Sequence, residues 1–298
     1  MIAYSTEGRT AAGFAIARFS RIYPTFVFCM TLTFATVLIL GKPNFTATLV
    51  QWFSNLIIAA PAIGEPYMDG AYWSLLIEVV FYAWVAILIA LGCFPRRIDV
   101  IILIWIGITF TNELTLDLHI IEKLFIADDS GFFAVGLLIY EFHRGRRDAA
   151  LYGLFALSTG TAVFQALHKL ERLGVHTNDS FDKSVVALIS LASIAIIFLA
   201  TRIRHVALPP KLVLAIGGLT YPFYLLHMQM GYVIYSSDLV GPKTPAAVVA
   251  IIVSIAVLSW AIWRYIEGPL HNWTKRILTK AVQNRYANDP SHTRSESL

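Results

Sequence analysis

An all-α fold, a polytopic membrane bundle of about eight transmembrane helices plus one segment that is re-entrant or interfacial, is what this sequence predicts. Three observations carry that expectation. Of 298 residues, 57% are hydrophobic and only 14% are charged, against about 25% charged in soluble domains. The mean hydropathy is +0.66. Apolar runs near the roughly 20 residues that a spanning helix needs recur along the chain. This composition excludes an ordinary soluble enzyme. The net charge of +4 is spread over short basic clusters and carries no nucleic-acid signal.

In chain order, the expected spans are 22–40, 72–92, 98–112, 131–142, 149–167, 183–201, 212–235 and 245–264. Residues 47–63 are apolar but interrupted by Gln51, Asn55 and Pro61, and so form the weaker, re-entrant or interfacial segment. The third span is expected to stop near Asn112, before the carboxylate of Glu113. The fourth is short, because extending it backwards takes in Asp128 and Asp129. Residues 1–270 then form one membrane domain and 271–298 a polar cytoplasmic tail, read as loose from 275 onward. Residues 1–21 carry Glu7, Arg9 and Arg18 and have no long apolar core, so they do not read as a signal peptide. Cys29 and Cys93 lie far apart and read as small apolar fillers, with no metal motif.

The basic residues orient the chain. With eight spans, seventeen Lys and Arg fall on the side of the termini, among them Arg9, Arg96, Arg97, Arg144, Arg146, Arg147, Arg202, Arg204, Arg285 and Arg294. Six fall opposite: Lys42, Lys123, Lys169, Arg172, Lys183 and Lys243. The positive-inside rule places both termini in the cytoplasm.

Glu78 is the most informative residue. It sits inside an apolar stretch, roughly 9 Å past Tyr72 at the usual helical rise, where a central acid costs about 3 kcal/mol on insertion scales. Ser74, Glu78 and Tyr82 are four apart and share a face. Glu78 suits a general base, a group that orients a histidine, or a partner for an arginine; a structural interhelical hydrogen bond is the plain alternative. Arg18 and Arg21, three apart at the entrance of the first span, suit a clamp on cofactor phosphates, or simple positive-inside anchoring. Thr220, Tyr224, His227 and Gly231 fall on one face of the seventh span, where His227 suits proton transfer or a packing role. Arg264 and Glu267 are spaced for a local ion pair. Gly131 and Gly136 suit close helix packing.

Taken in order, these motifs resemble acyltransferase family 3, the membrane-bound O-acyltransferases of surface glycans. Arg18-Phe19-Ser20-Arg21-Ile22-Tyr23-Pro24 looks like the family's arginine pair before an Ile-Tyr-Pro helix start. Tyr72-Trp73-Ser74-Leu75-Leu76-Ile77-Glu78-Val79-Val80-Phe81-Tyr82 resembles its Trp-Ser-Leu…Glu…Phe-Tyr helix. Thr220-Tyr221-Pro222-Phe223-Tyr224-Leu225-Leu226-His227 and Tyr265-Ile266-Glu267-Gly268-Pro269 are similar to its last two motifs.

The resemblance implies an acyltransferase moving groups other than aminoacyl groups, with acyl-CoA, commonly acetyl-CoA, as co-substrate and no permanently bound cofactor. It implies a cell-surface polysaccharide or lipid-linked sugar as acceptor, membrane lipids as surroundings, and a plasma (inner) membrane location. Glu78, Arg18 and Arg21 become catalytic candidates, the two arginines also cofactor-binding ones. Trp73, Ser74, Tyr82, Tyr224 and His227 become substrate-site candidates. The family's first span carries Arg or Lys, ten residues, then His, and none of the eight histidines here has that spacing. The opening Met1-Ile2-Ala3-Tyr4-Ser5 resembles the exit of the family's second span, so the family's first span and most of its second are expected to be missing. A glycolipid transporter or flippase using Glu78 and His227 as a proton path, and a catalytically inactive truncated homologue, are the competing readings.

Overall fold

The computed structural model of the protein describes residues 6, 9–177, 179–203 and 208–287. The 1–5 stretch read as the exit of an earlier span, the tail beyond 287, and Arg204 and Arg294 of the basic tally lie outside the described residues. The described chain is helical and contains no strand. Six helices are long and apolar enough to cross a membrane, and a bent pair makes a seventh. The remaining expected span, α6 (Ser130–His143), has only 14 residues, about 21 Å at the helical rise. Ten of those residues are buried. The chain is therefore a multi-pass helical membrane protein, and the expected eight transits comprise six helices of spanning length, one bent pair and one short, enclosed helix.

The chain divides into two compact units. The first contains residues 1–11 and 83–207, and the second 12–82 and 208–298.

The second unit opens with α1 (Ala11–Leu40), which begins eleven residues before the expected span and so carries Arg18 and Arg21 inside the helix instead of ahead of it. Pro24 removes one backbone donor from its interior. The weak segment resolves into α2 (Leu49–Asn55) and a 3₁₀ turn (Ala60–Ile63), neither long enough to span. Thr48 caps α2 by accepting from the Gln51 amide at 3.0 Å. Buried Asn55 fixes the return: its amide donates to the Pro66 carbonyl at 3.0 Å and its carbonyl accepts from the Met68 amide at 2.9 Å. Then follow α3 (Tyr72–Ala90), which feeds both units, and, returning to the second, α9 (Pro210–Leu226), α10 (Gln229–Ser236) and α11 (Pro245–Ile262). Phe26 and Met30 of α1, Tyr72 and Leu75 of α3, and Leu225 and Leu226 of α9 are fully buried and form the core of this unit.

Two expectations fail here. The seventh span is not continuous. α9 and α10 meet at a 64° bend, so Gly231 no longer extends the face of Thr220, Tyr224 and His227. The tail is not loose from 275. A π turn (Trp263–Glu267) carries α11 into α12 (Gly268–Ala287). The reason is visible in the sequence: 270–287 contains neither glycine nor proline, so nothing breaks the backbone pattern.

In the first unit, α4 (Ile98–Thr111) passes the expected stop through a π turn, Asn112–Leu116. Glu113 is accommodated because Gln165 donates to it at 3.1 Å, which replaces lost water. After α5 (His119–Leu124) comes α6, then α7 (Ala149–Thr177) and α8 (Lys183–Ala200). α7 runs ten residues past its expected end, and Lys169 in that extension pairs with Asp129 at 2.7 Å. Gly131 lies where a Cβ would strike the α7 backbone at Thr161 and Ala162, so its close-packing role holds; Gly136 faces open space. α8 buries only Ser190 and Ile194, which leaves most of its apolar surface to lipid.

Candidate functional site

Every site residue expected from the sequence belongs to the second unit. Four elements supply them: α1 gives Arg18 and Arg21, α3 gives Trp73, Ser74, Glu78 and Tyr82, α9 gives Tyr224, and the α9–α10 break gives His227; α9 also brings Tyr221, which lies outside the expected set. The π turn after α11 adds Glu267.

The centre is Glu78. Tyr82, one turn further along α3, donates its phenol proton to Glu78 Oε1. The Arg18 guanidinium lies over the Tyr82 ring at 5.1 Å and over the Phe14 ring at 5.4 Å. Those two rings meet edge-on at 6.1 Å. The arginine is thus gripped between aromatic faces, an arrangement that favours a cation by about 0.5–2 kcal/mol. It lies against the same phenol that donates to Glu78. Arg21, one turn on, is exposed and lies within electrostatic reach of both Tyr82 and Glu267.

Glu267 does not pair with Arg264. Arg264 lies over the ring of its neighbour Tyr265 at 5.5 Å, and the cation that acts on Glu267 is Arg21. The π turn accounts for this: its wider spacing removes the three-residue register on which the expected pair depended. Glu267 therefore joins the site from a motif that local spacing assigned to a surface pair.

The polar stripe of α3 divides. Ser74 turns to α9, where its hydroxyl meets the Tyr224 hydroxyl at 2.5 Å. Tyr224 donates onward to the Ala71 carbonyl, so Ser74 is the donor to Tyr224. Tyr221 lies within electrostatic reach of Glu78 and donates to the Ile22 carbonyl of α1 at 2.9 Å. Tyr72 donates to the Leu225 carbonyl at 3.2 Å. Three tyrosines thus stitch α1, α3 and α9 around the carboxylate by satisfying main-chain acceptors that have no water available.

His227 sits apart. It is exposed, stacks on Phe223 with ring centroids 5.7 Å apart, and its Nδ1 approaches the Tyr224 carbonyl at 2.9 Å. It lies within electrostatic reach of Asp69. Trp73 is 53% exposed and turns off the face that carries Glu78.

Asp69 lies outside the set of residues that the sequence singles out. It is fully buried. One carboxylate oxygen accepts from the Ala71 amide at 2.8 Å and the other from the Gln229 amide at 2.8 Å. A single side chain thereby holds the start of α3 against the start of α10, where a negative charge suits the helix dipole. Burial pushes its carboxyl above the usual range, and the two amide bonds and nearby His227 oppose that rise. Its position just before Gly70-Ala71-Tyr72, a capping residue at a helix start, was the available signal. Among the described residues, no group of three or more His, Cys, Asp or Glu is placed to hold a metal ion.

A family model described as an acyltransferase domain matches residues 1–264. No curated protein and no solved structure matches the chain. A match over most of the chain, on a helical membrane fold that gathers the arginine pair, Glu78 and Glu267 into one unit, settles the assignment: the protein belongs to acyltransferase family 3 and is a membrane acyltransferase.

Proposed function

We propose that this acyltransferase moves an acyl group, acetyl in the simplest case, from acyl-CoA to a hydroxyl of a cell-surface polysaccharide or glycolipid. The observation that carries this reading is the Glu78–Tyr82–Arg18 assembly. In the proposed step, the acceptor hydroxyl oxygen bonds to the thioester carbonyl carbon while the carbon–sulfur bond breaks. The hydroxyl proton passes to Glu78 and from there to the departing CoA thiolate, so no further reactant is needed. Tyr82 fixes the carboxylate orientation, and Arg18 holds Tyr82. Arg21, exposed and one turn away, takes a phosphate of the donor. Ser74 and Tyr224 border the acceptor side. Trp73 and His227 have no part in this step.

The setting proposed is a plasma (inner) membrane with both termini cytoplasmic, supported by the seventeen-to-six division of basic residues. The test is complementation of cells lacking the chromosomal gene, reading O-acyl groups released from surface glycan. Glu78→Gln and Arg21→Ala should each reduce acylation at normal protein level. Unchanged acylation would remove these residues from the site. Proton-coupled glycolipid flux in vesicles free of acyl-CoA would favour a transporter, and the absence of both turnover and acyl-CoA binding an inactive homologue.

A further inference from the structure

The first unit contains a cavity of about 840 Å³, a size usual for small-ligand sites. It lies where two connections of that unit meet, α3 to α4 (residues 91–97) and α6 to α7 (residues 144–148), with Thr6 and Arg9 also on its wall. Five arginines and two acids line it. They sort into two sets by what they hold.

Arg146 and Arg144 are committed. Arg146 makes a two-pronged contact with Asp99 at 2.7 and 2.6 Å and also pairs with Asp148. Those carboxylates raise its already high pKa. It therefore acts as a strut that ties the first turn of α4 to the α6–α7 connection. Arg144 lies 3.7 Å from Glu141, which is itself buried. Both acids of the cavity are thus answered from within. The guanidinium groups of Arg9, Arg96 and Arg97 are exposed and have no ion pair or side-chain hydrogen bond among the described residues. Among the described residues, no acid pairs with any of these three cations. Guanidinium forks match phosphate oxygens in geometry as well as charge.

We propose that this cavity is a binding site for a phosphate-bearing ligand, held by Arg9, Arg96 and Arg97 and shaped by the Arg146 strut. The shared chemistry is a phosphate anion, and two sources present it: a soluble diphosphate, as in a nucleotide-type cofactor, or the headgroup of an anionic phospholipid. Simple positive-inside anchoring uses the same residues but gives no saturable site. The proposal does not depend on the reading of Glu78.

The experiment uses the full chain in phosphatidylcholine nanodiscs. Inorganic pyrophosphate is titrated in one arm. In the other, nanodiscs contain added phosphatidylglycerol, and retained lipid is read by native mass spectrometry. Saturable pyrophosphate binding that weakens at least tenfold in Arg96→Gln/Arg97→Gln assigns the soluble source. Phosphatidylglycerol retention lost in the same variant assigns the lipid source. Binding of either probe that is indifferent to the two substitutions, or no binding of either, overturns the site. A variant that fails to fold is bypassed by phenylglyoxal labelling of the unaltered protein. Protection of Arg9, Arg96 and Arg97 by either probe, with exposed Arg264 as control, supports the proposal. Equal labelling with and without both probes defeats it.

Discussion

The two units use arginine in opposite ways. In the second, Arg18 is gripped by two aromatic rings, one of them the Tyr82 ring whose phenol donates to Glu78. In the first, Arg146 is held by two carboxylates while Arg9, Arg96 and Arg97 line a cavity with no ion pair among the described residues. A guanidinium does whatever its surroundings leave undone. Between rings and beside a held carboxylate it orients a neighbour, whereas without a counter-charge it waits for an anion. Residue type alone does not separate these roles, although substitution does.

The largest expected effect is at Glu78. Glu78→Gln keeps the shape and the hydrogen bond from Tyr82 but removes proton acceptance, and acyl transfer should fall about 100-fold or more. Steady-state rates on membranes with matched protein amounts check this, and a loss under threefold would return Glu78 to a structural role. Next come the two arginines of the same unit. Arg21→Ala should raise the KM for acyl-CoA about tenfold with kcat nearly kept, since about 1.4 kcal/mol corresponds to a factor of ten. Arg18→Lys should lower kcat instead, because an ammonium does not lie flat on the rings of Phe14 and Tyr82. If both variants shift the same parameter, the division of labour between them is wrong.

Smaller effects separate the units by stability. Arg146→Ala removes the strut from the first unit and should cost about 1 kcal/mol after solvent screening of half-exposed groups, whereas Arg96→Ala should leave the melting temperature unchanged. Thermal scans of both proteins decide this. The acids differ in sign. Arg146, with the Leu151 amide behind it, holds the Asp148 carboxyl down at about 2. That group's contribution is complete above the usual carboxylate range and is lost as pH falls toward about 2. Burial instead raises Asp69, so its charge opposes folding increasingly as pH rises through that raised value. Acidification from pH 7 to 4 should therefore stabilise the wild type slightly more than Asp69→Asn, whereas the advantage of the wild type over Asp148→Asn should persist down to about pH 4 and shrink below it. The smallest effect belongs to Trp73→Ala, where exposure predicts activity within about twofold.

Much of the molecule was legible from its amino acids. Six of the expected transits match helices of spanning length because a bilayer demands long apolar runs, and such runs are visible in any order of reading. Glu78 stood out for the same reason: a carboxylate in hydrocarbon is too costly to be incidental. What stayed hidden was everything that depends on a partner distant in sequence. Glu267 was assigned to Arg264, three residues away, and the π turn gave it to Arg21. Asp69 gains its role only where its two amide partners, just before α3 and at the start of α10, come together. The break between α9 and α10 was hidden because Leu226, His227 and Met228 carry neither glycine nor proline, and it is held by the Asp69 bond to the Gln229 amide.

The sequence by itself determined a multi-pass helical protein, the family, and a short roster of residues in which the acyl chemistry was to be sought. Hydropathy and motif order are properties of the chain and survive without coordinates. Only tertiary structure decided which arginine is gripped and which is unpaired, which acid faces which cation, and that Trp73 and His227 stand off while Tyr221 and Glu267 join. Charges and hydrogen bonds act across a few ångströms of space, and the residues they connect here are up to 199 positions apart.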